Sequence, residues 1–262
     1  MPTRKAYILH SVNNALRVLE AFSVEEPELG ISELTRRLGL GRSSVYRLVA
    51  TLKSRRYLDQ DPATGKFRLG LQCFNLGATF INGLDIRQRV RPYLVQLVAE
   101  TGETGHLVIL EGDEIIYLDK VESRRPFSLS TRVGWKTAPH STAAGKVLLA
   151  FLPSARLEEI LPAKVPRFTA NTITDRDELK KHLDEIRLAG YAVDHGENQV
   201  GVACVAAPVK NEKGDVVAAI SVSGPAGRVL PRVKELALNV MEKAHYGSQA
   251  MGYLSIDLDD RD

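Results

Sequence analysis

Over the first seventy positions the apolar residues recur with a helical period three times, and then the pattern changes. Ile8, Val12, Ala15, Leu16, Leu19 and Phe22 fall on one stripe, which predicts a core-facing helix over residues 11–22 with Ser11 as its N-cap. After the turn-like EEPELG, the run ISELTRRLGL spaces Ile31, Leu34 and Leu38 as a short helix and stops at Gly39, a residue suited to a helix C-terminus. Beyond Gly41 a third helix follows, with Val45, Leu48, Val49 and Leu52 at i, i+3, i+4 and i+7. Helix, short glycine-containing turn, helix is the helix-turn-helix pattern.

At about 100° per residue, the buried side of the third helix centres between Leu48 and Val49. Ser43, Arg47, Ala50 and Ser54 then lie opposite, with Ser44, Tyr46 and Thr51 flanking them. Small hydroxyl residues at the start of such a helix let its N-terminus approach a phosphate or a base edge. The chain continues into residues 55–69, which read as two short strands around a Pro/Gly turn, a wing in which Lys66 and Arg68 alternate with Phe67 and Leu69. Phe67 and Leu69 are expected to pack on the domain and the two basic residues to reach the phosphate backbone. The candidate DNA contacts are Arg42, Ser43, Ser44, Tyr46, Arg47, Lys66 and Arg68.

Residues 71–101 are helical by pattern. Phe74, Ala78 and Ile81 mark the first part and Ile86, Val90, Tyr93, Leu94, Leu97 and Val98 the second, with breaks or bends expected at Gly83 and Pro92. Strand-like runs follow at 106–111 and 115–121, joined by a hairpin, and another at 128–133. Helices are expected at 143–152 and 175–189, strands at 191–194, 202–209 and 216–223, and a closing helix near 230–253. Strands in antiparallel hairpins mixed with helices predict an α+β domain.

Charge adds to this picture. Residues 1–70 hold twelve lysines and arginines against seven acidic residues, whereas the rest of the chain holds twenty-three against twenty-five. The basic end is the one with the helix-turn-helix pattern, as binding to a polyanion requires. No apolar run approaches the roughly 18 residues needed to span a bilayer, and the first residues are polar, so a cytoplasmic protein without membrane contact is expected. Two cysteines, Cys73 and Cys204, are too few and too far apart for a disulfide framework or a Cys-rich zinc site.

The segments SVNNALRVLEAF, ISELTRRLGLGRSSVYRLVATL and YLDQDPATGKFRLG resemble the winged-helix domain of the IclR family of bacterial regulators. TAPHSTAAGKVLLAFLP, GYAVDHGENQVGVACVAAPV and GDVVAAISVSGP resemble that family's C-terminal effector domain, so the likeness covers almost the whole chain. It implies a winged helix-turn-helix at 1–70, a linker helix at 71–88 and a GAF-like effector domain at 89–262, with an antiparallel sheet and flanking helices. It also implies a regulator of a metabolic or catabolic operon that binds an inverted-repeat operator in double-stranded DNA as a homodimer or homotetramer, and that answers to a small organic effector, a carboxylate by preference. A lone helix-turn-helix covers too little DNA to be selective, which independently favours a dimer.

The run Pro139–Lys146 brings small residues and a hydroxyl cap to a helix start, where free amides suit an anion; the same residues also suit a plain N-cap with close helix–sheet packing through Ala143 and Gly145. Ser221 and Ser223, two apart in a strand, project from one face. The resemblance carries Thr142, Ala143, Asp194, Cys204, Ser221 and Ser223 into one effector pocket. His106, His140 and His195 with Asp194 and Cys204 show no strong metal-ligand spacing, and no nucleophile elbow, phosphate-binding glycine loop or carboxylate pair is present. Neither a cofactor nor catalysis is expected, and no residue encodes whether such a regulator represses or activates.

Overall fold

The computed structural model of the protein describes residues 9–83, 85–126, 129–162 and 164–254. The chain divides into two compact units, Met1–Gly83 and Leu84–Asp262.

The first unit runs α1 (His10–Glu20), α2 (Ile31–Leu38), α3 (Arg42–Ser54), β1 (Leu58–Gln60), β2 (Phe67–Leu69) and α4 (Leu71–Gly83). Gly39 closes α2 in the left-handed region (φ 66°), a conformation that side chains with a Cβ resist, and two residues later Gly41 opens α3. Val18, Leu34, Val45, Val49, Leu58 and Phe67 form the core. β1 and β2 pair antiparallel, and the Leu29 amide and carbonyl both bond Phe67, which adds a third strand position to the wing.

Three expectations fail here. Helix α1 starts at His10 with Leu9 at the N-cap position, so Ser11 lies inside the helix and caps nothing. The core-facing residue of α1 is Val18, while Val12 and Leu16 are 54% and 52% exposed; the apolar stripe is wider than this unit's own core can cover. In the wing Phe67 packs inward, but Leu69, at the end of a three-residue strand, is exposed. Ile8 and the side chain of Ile81 lie outside the described residues.

The second unit holds α5 (Asp85–Thr101), β3 (Thr104–Glu111), β4 (Glu114–Val121), β5 (Lys136–Thr137), α6 (Ala143–Ala150), α7 (Ser154–Ile160), α8 (Arg176–Ala189), β6 (Ala192–Asp194), β7 (Val202–Lys210), β8 (Val216–Pro225), α9 (Ala226–Val229) and α10 (Val233–Ala250). Its six strands form one antiparallel sheet in the order β5-β4-β3-β8-β7-β6. Alternation splits the strands between two cores. Leu107, Val205, Ala207, Ile220 and Val222 pack with α5 and α10 on one face, and Val108, Ala206 and Ala219 pack with α6, α7 and α8 on the other.

Helix α5 continues through Pro92, which breaks nothing. The strand expected at 128–133 does not form: Ser128 lies outside the described residues and 129–133 are irregular. In place of a strand partner, the carbonyls of Leu129 and Thr131 accept the Lys120 ammonium at 3.0 and 2.8 Å. The short helix α7 has no counterpart in the pattern analysis.

All eight residues of α6 are buried. A Cβ on Gly145 would collide with the Pro139 carbonyl of the turn that leads into the helix. Gly145→Ala is therefore expected to cost at least about 1–3 kcal/mol by overpacking, read in calorimetry as a lowered Tm for the transition of the second unit with that of the first unchanged.

Candidate functional site

The N-terminus of α6, the end of β6 and the α6-facing sides of β7 and β8 meet around a small cavity of about 40 Å³. Thr142, Ala143, Asp194, Cys204, Ser221 and Ser223 all line it, so six residues spread over 82 positions come together in one place. Period-2 alternation turns both serines of β8 toward α6, and Cys204 pairs with Asp194 on β6 and with Ser223 on β8. Thr142 caps α6 through its hydroxyl, which accepts the Gly145 amide at 3.0 Å. The amides of Ala143 and Ala144 are the first in the helix, where intrahelical acceptors are lacking, and both residues line the cavity. Both readings of the Pro139–Lys146 run are thus present together, close packing at Gly145 and open amides beside a cavity.

Residues that pattern and resemblance did not mark complete the wall: Tyr117 from β4, Leu129 and Thr131 from the irregular segment, and Asn198, Gln199 and Val202 from the loop into β7. Tyr117 stacks on Trp135, the single tryptophan of the chain, at 5.5 Å. His106 bonds Thr131 Oγ1 at 2.8 Å and Ser223 Oγ at 3.4 Å behind the wall. Burial, with the Lys120 charge adding to it, holds the His106 imidazole down to about 3, so the ring is neutral at physiological pH.

Behind α6, Lys146 is fully buried and its ammonium meets Glu197 Oε1 at 2.5 Å, the Val193 carbonyl at 2.8 Å and His182 Nε2 at 3.2 Å. The Glu197 amide in turn donates to Asp194 Oδ1 at 2.6 Å. This buried pair fixes the turn that presents Asp194. A lysine inside the otherwise small and apolar run AAGKVLLA was the available sign of it, since a charge there needs a buried partner. Burial pushes the Asp194 carboxyl up to about 6, with the Glu197 charge adding to the rise and the Glu197 and Gly196 amides and Lys146 opposing it. Burial, and then Asp194, also push the Cys204 thiol up, which makes it an inert neutral group here.

In the first unit the DNA-reading expectation has a clear geometry. Val45, Val49 and Leu52 of α3 face the core, and Arg42, Ser43, Ser44, Tyr46 and Arg47 are exposed, with Tyr46 at 65%. Gly41 caps α3 without a side chain, leaving the first amides of the helix open to an anion. Lys66 and Arg68 are exposed on the wing. A second, larger hollow of about 700 Å³ lies between α1, α3 and α4, lined by Val12, Leu16, Leu19, Leu48 and Leu76. It is open and mainly apolar, with Ser11, Asn14, Ser44, Arg47 and Thr51 as its polar lining, and its breadth and apolar character suit a protein surface better than a metabolite.

Among the described residues no three His, Cys, Asp or Glu side chains gather as a metal site, and no helix is long and apolar enough to cross a membrane.

Comparison with known proteins bears on both sites. The IclR helix-turn-helix domain matches residues 11–62, and the bacterial transcriptional regulator IclR C-terminal domain matches residues 78–248. The chain is 39% identical over 223 residues to the HTH-type transcriptional regulator XynR of Escherichia coli, covering 85% of this chain and 88% of that protein. It is 36% identical over 248 residues to the HTH-type transcriptional regulator KdgR of Dickeya chrysanthemi, covering 93% and 81%. An IclR homolog from Microbacterium hydrocarbonoxydans complexed with 4-hydroxybenzoate superposes with a TM-score of 0.83 at 26% identity, covering 92% of this chain and 98% of that one.

The buried pair behind the cavity is directly testable. Lys146→Met leaves Glu197 uncompensated and is expected to destabilise the second unit by about 3–5 kcal/mol at neutral pH. Adding Glu197→Gln, which removes the stranded charge, should recover at least half of that loss in urea denaturation.

Proposed function

The chain belongs to the IclR family of bacterial transcriptional regulators, and on that premise we propose that it binds an inverted-repeat operator as a homodimer or homotetramer and controls a metabolic or catabolic operon under the command of a small organic carboxylate. The observation that carries the effector reading is the convergence of Thr142, Ala143, Asp194, Cys204, Ser221 and Ser223 on one small cavity. The open amides of Ala143 and Ala144 favour negative charge, and the two serine hydroxyls offer bonds to a further polar group of the ligand. At about 40 Å³ the cavity admits only about three water-sized bodies, so an effector must widen it. The irregular segment carrying Leu129 and Thr131 and the loop carrying Asn198 and Gln199 are the parts of the wall without strand or helix bonds to break.

Arg42, Ser43, Ser44, Tyr46 and Arg47 are the residues of α3 that meet the major groove, with Lys66 and Arg68 on the flanking backbone. Self-association is supported by the apolar surplus of the first unit, where Leu9, Val12 and Leu16 of the α1 region and Leu71, Phe74 and Leu76 of α4 are exposed. Coupling between effector and operator affinity is expected at about 1–3 kcal/mol and reciprocal. A route is available inside the second unit. Neighbouring residues of β4 serve different faces of the sheet: Lys120 holds the irregular cavity segment, while buried Asp119 holds Arg91 at 2.5 Å and Arg87 at 3.5 Å on α5, the helix that follows the linker.

Two measurements test the two halves. Arg47→Ala should weaken operator binding by about 1–3 kcal/mol in gel-shift titration, with fold and oligomer unchanged; operator affinity equal to wild type would remove Arg47 from the reading face. In a thermal-shift screen of small monocarboxylates, the acid giving the largest saturable shift should bind Ser221→Ala/Ser223→Ala about 1–3 kcal/mol more weakly by calorimetry. Operator binding without the acid should be unaffected, and undiminished acid binding would place the effector elsewhere.

A further inference from the structure

The cavity has one electrostatic property that its lining residues do not resolve by themselves. Among the described residues that line it, Asp194 is the sole acid and no side chain is cationic. Asp194 is 2% exposed, so solvent does not screen it. The ammonium behind the wall, on Lys146, is committed to Glu197, the Val193 carbonyl and His182. The other titratable groups facing Asp194 are Glu197 from the following turn, Cys204 from β7 and Tyr117 from β4, none of which supplies positive charge. An anionic ligand in this small space, beside the buried Asp194, would face an ionised carboxylate with no counter-charge between them, an arrangement that two carboxylates sharing a site avoid by retaining one proton.

We propose that an anionic effector enters the cavity together with one proton, which Asp194 takes up, so that the neutral acid donates its O–H to the ligand. The proposal rests on the reading of the effector as a carboxylate. The balance is simple: one proton leaves solvent or buffer, one O–H bond forms on Asp194, and no other bond is made or broken. Asp194 then sets specificity by charge, since it is a hydrogen-bond acceptor when ionised and a donor when protonated, and only the second form suits an anion. Burial already raises this carboxyl to about 6, which lowers the cost of protonating it near neutral pH. The sign follows from linkage. Effector affinity is flat below about pH 6 and falls roughly tenfold per pH unit above it, because an increasing fraction of Asp194 must be reprotonated for binding.

The probe is lactate, a small acid that offers both a carboxylate and a hydroxyl, titrated into the full-length protein from pH 5.5 to 8.5 at constant ionic strength. Trp135 fluorescence reports binding through its stack on Tyr117, and calorimetry in two buffers of different ionisation enthalpy counts protons. The expected result is uptake of close to one proton per lactate at pH 7.5 and a roughly tenfold loss of affinity per unit above pH 6. In Asp194→Asn, which mimics the neutral acid, uptake should vanish and affinity become independent of pH. Lactate binding by wild type without proton uptake overturns the proposal and leaves the carboxylate reading standing. Uptake that persists in Asp194→Asn also overturns it, because the proton then travels on the ligand or on another group. No saturable response to lactate at any pH overturns both readings. Should the variant not fold, the wild-type proton count alone decides.

Discussion

The second unit is organised by the complete burial of one eight-residue helix, α6. A helix enclosed on all sides cannot use the usual division into apolar and polar faces, and its residues must be small or paired. Ala143, Ala144 and Gly145 meet the first condition and let the Pro139 turn lie directly against the helix. Lys146 meets the second only because Glu197 comes 2.5 Å from its ammonium. Most of the site follows from that constraint. The pair that makes Lys146 tolerable holds the 194–197 turn, the turn aims Asp194 into the cavity, and the small residues leave the helix amides uncovered at the same place. The cavity is thus assembled from the same contacts that allow α6 to be buried, and a change that loosens the helix also loosens the cavity.

The first unit shows the opposite economy. Its own core needs few residues from each helix, yet the chain supplies more apolar side chains than that core covers, on α1 and on α4. Scattered exposed leucines would be ordinary, but here they lie on two helices that border one hollow of about 700 Å³. A small winged helix is marginal as a free-standing domain, and covering this surface by a second copy would add burial where the fold has least. The basic wing stays clear of that hollow, whereas Ser44, Arg47, Leu48, Thr51 and Leu52 of α3 line it.

The element pattern was legible wherever periodicity and a stop residue agreed. Gly39 and Gly41 delimited the turn of the helix-turn-helix, and alternation in AISVSG put the two serines of β8 on one face, where both line the cavity. Face assignment failed on α1, because an apolar stripe has the same period whether its partner is the chain's own core or something outside it. The run at 128–133 failed for another reason. Its β-like composition serves a wall over a cavity, where Leu129 turns inward and the backbone bonds a lysine instead of a strand. Of the cavity, the six residues brought in by resemblance meet at one place, whereas Thr131 and Asn198 were invisible: they come from an irregular segment and a loop, neither of which leaves a periodic trace. The Lys146–Glu197 pair, 51 residues apart, left only half a signal, the lone charge in an apolar helix.

The two sites place opposite demands on charge, and the chain meets each with a different device. On α3 and the wing the groups are exposed arginines, a lysine and open helix amides, which attract a polyanion at long range and lose strength with salt. In the cavity every cation is withheld: Lys146 is spent on Glu197, Lys120 on backbone carbonyls, and Arg87 and Arg91 on Asp119. What the cavity offers instead is dipoles, namely the amides of α6 and the hydroxyls of Thr142, Ser221 and Ser223. Dipoles fixed in a packed wall act over short distances and respond little to ionic strength, whereas exposed charges are screened by salt. On the proposed reading, salt therefore tunes operator affinity without altering what the cavity binds.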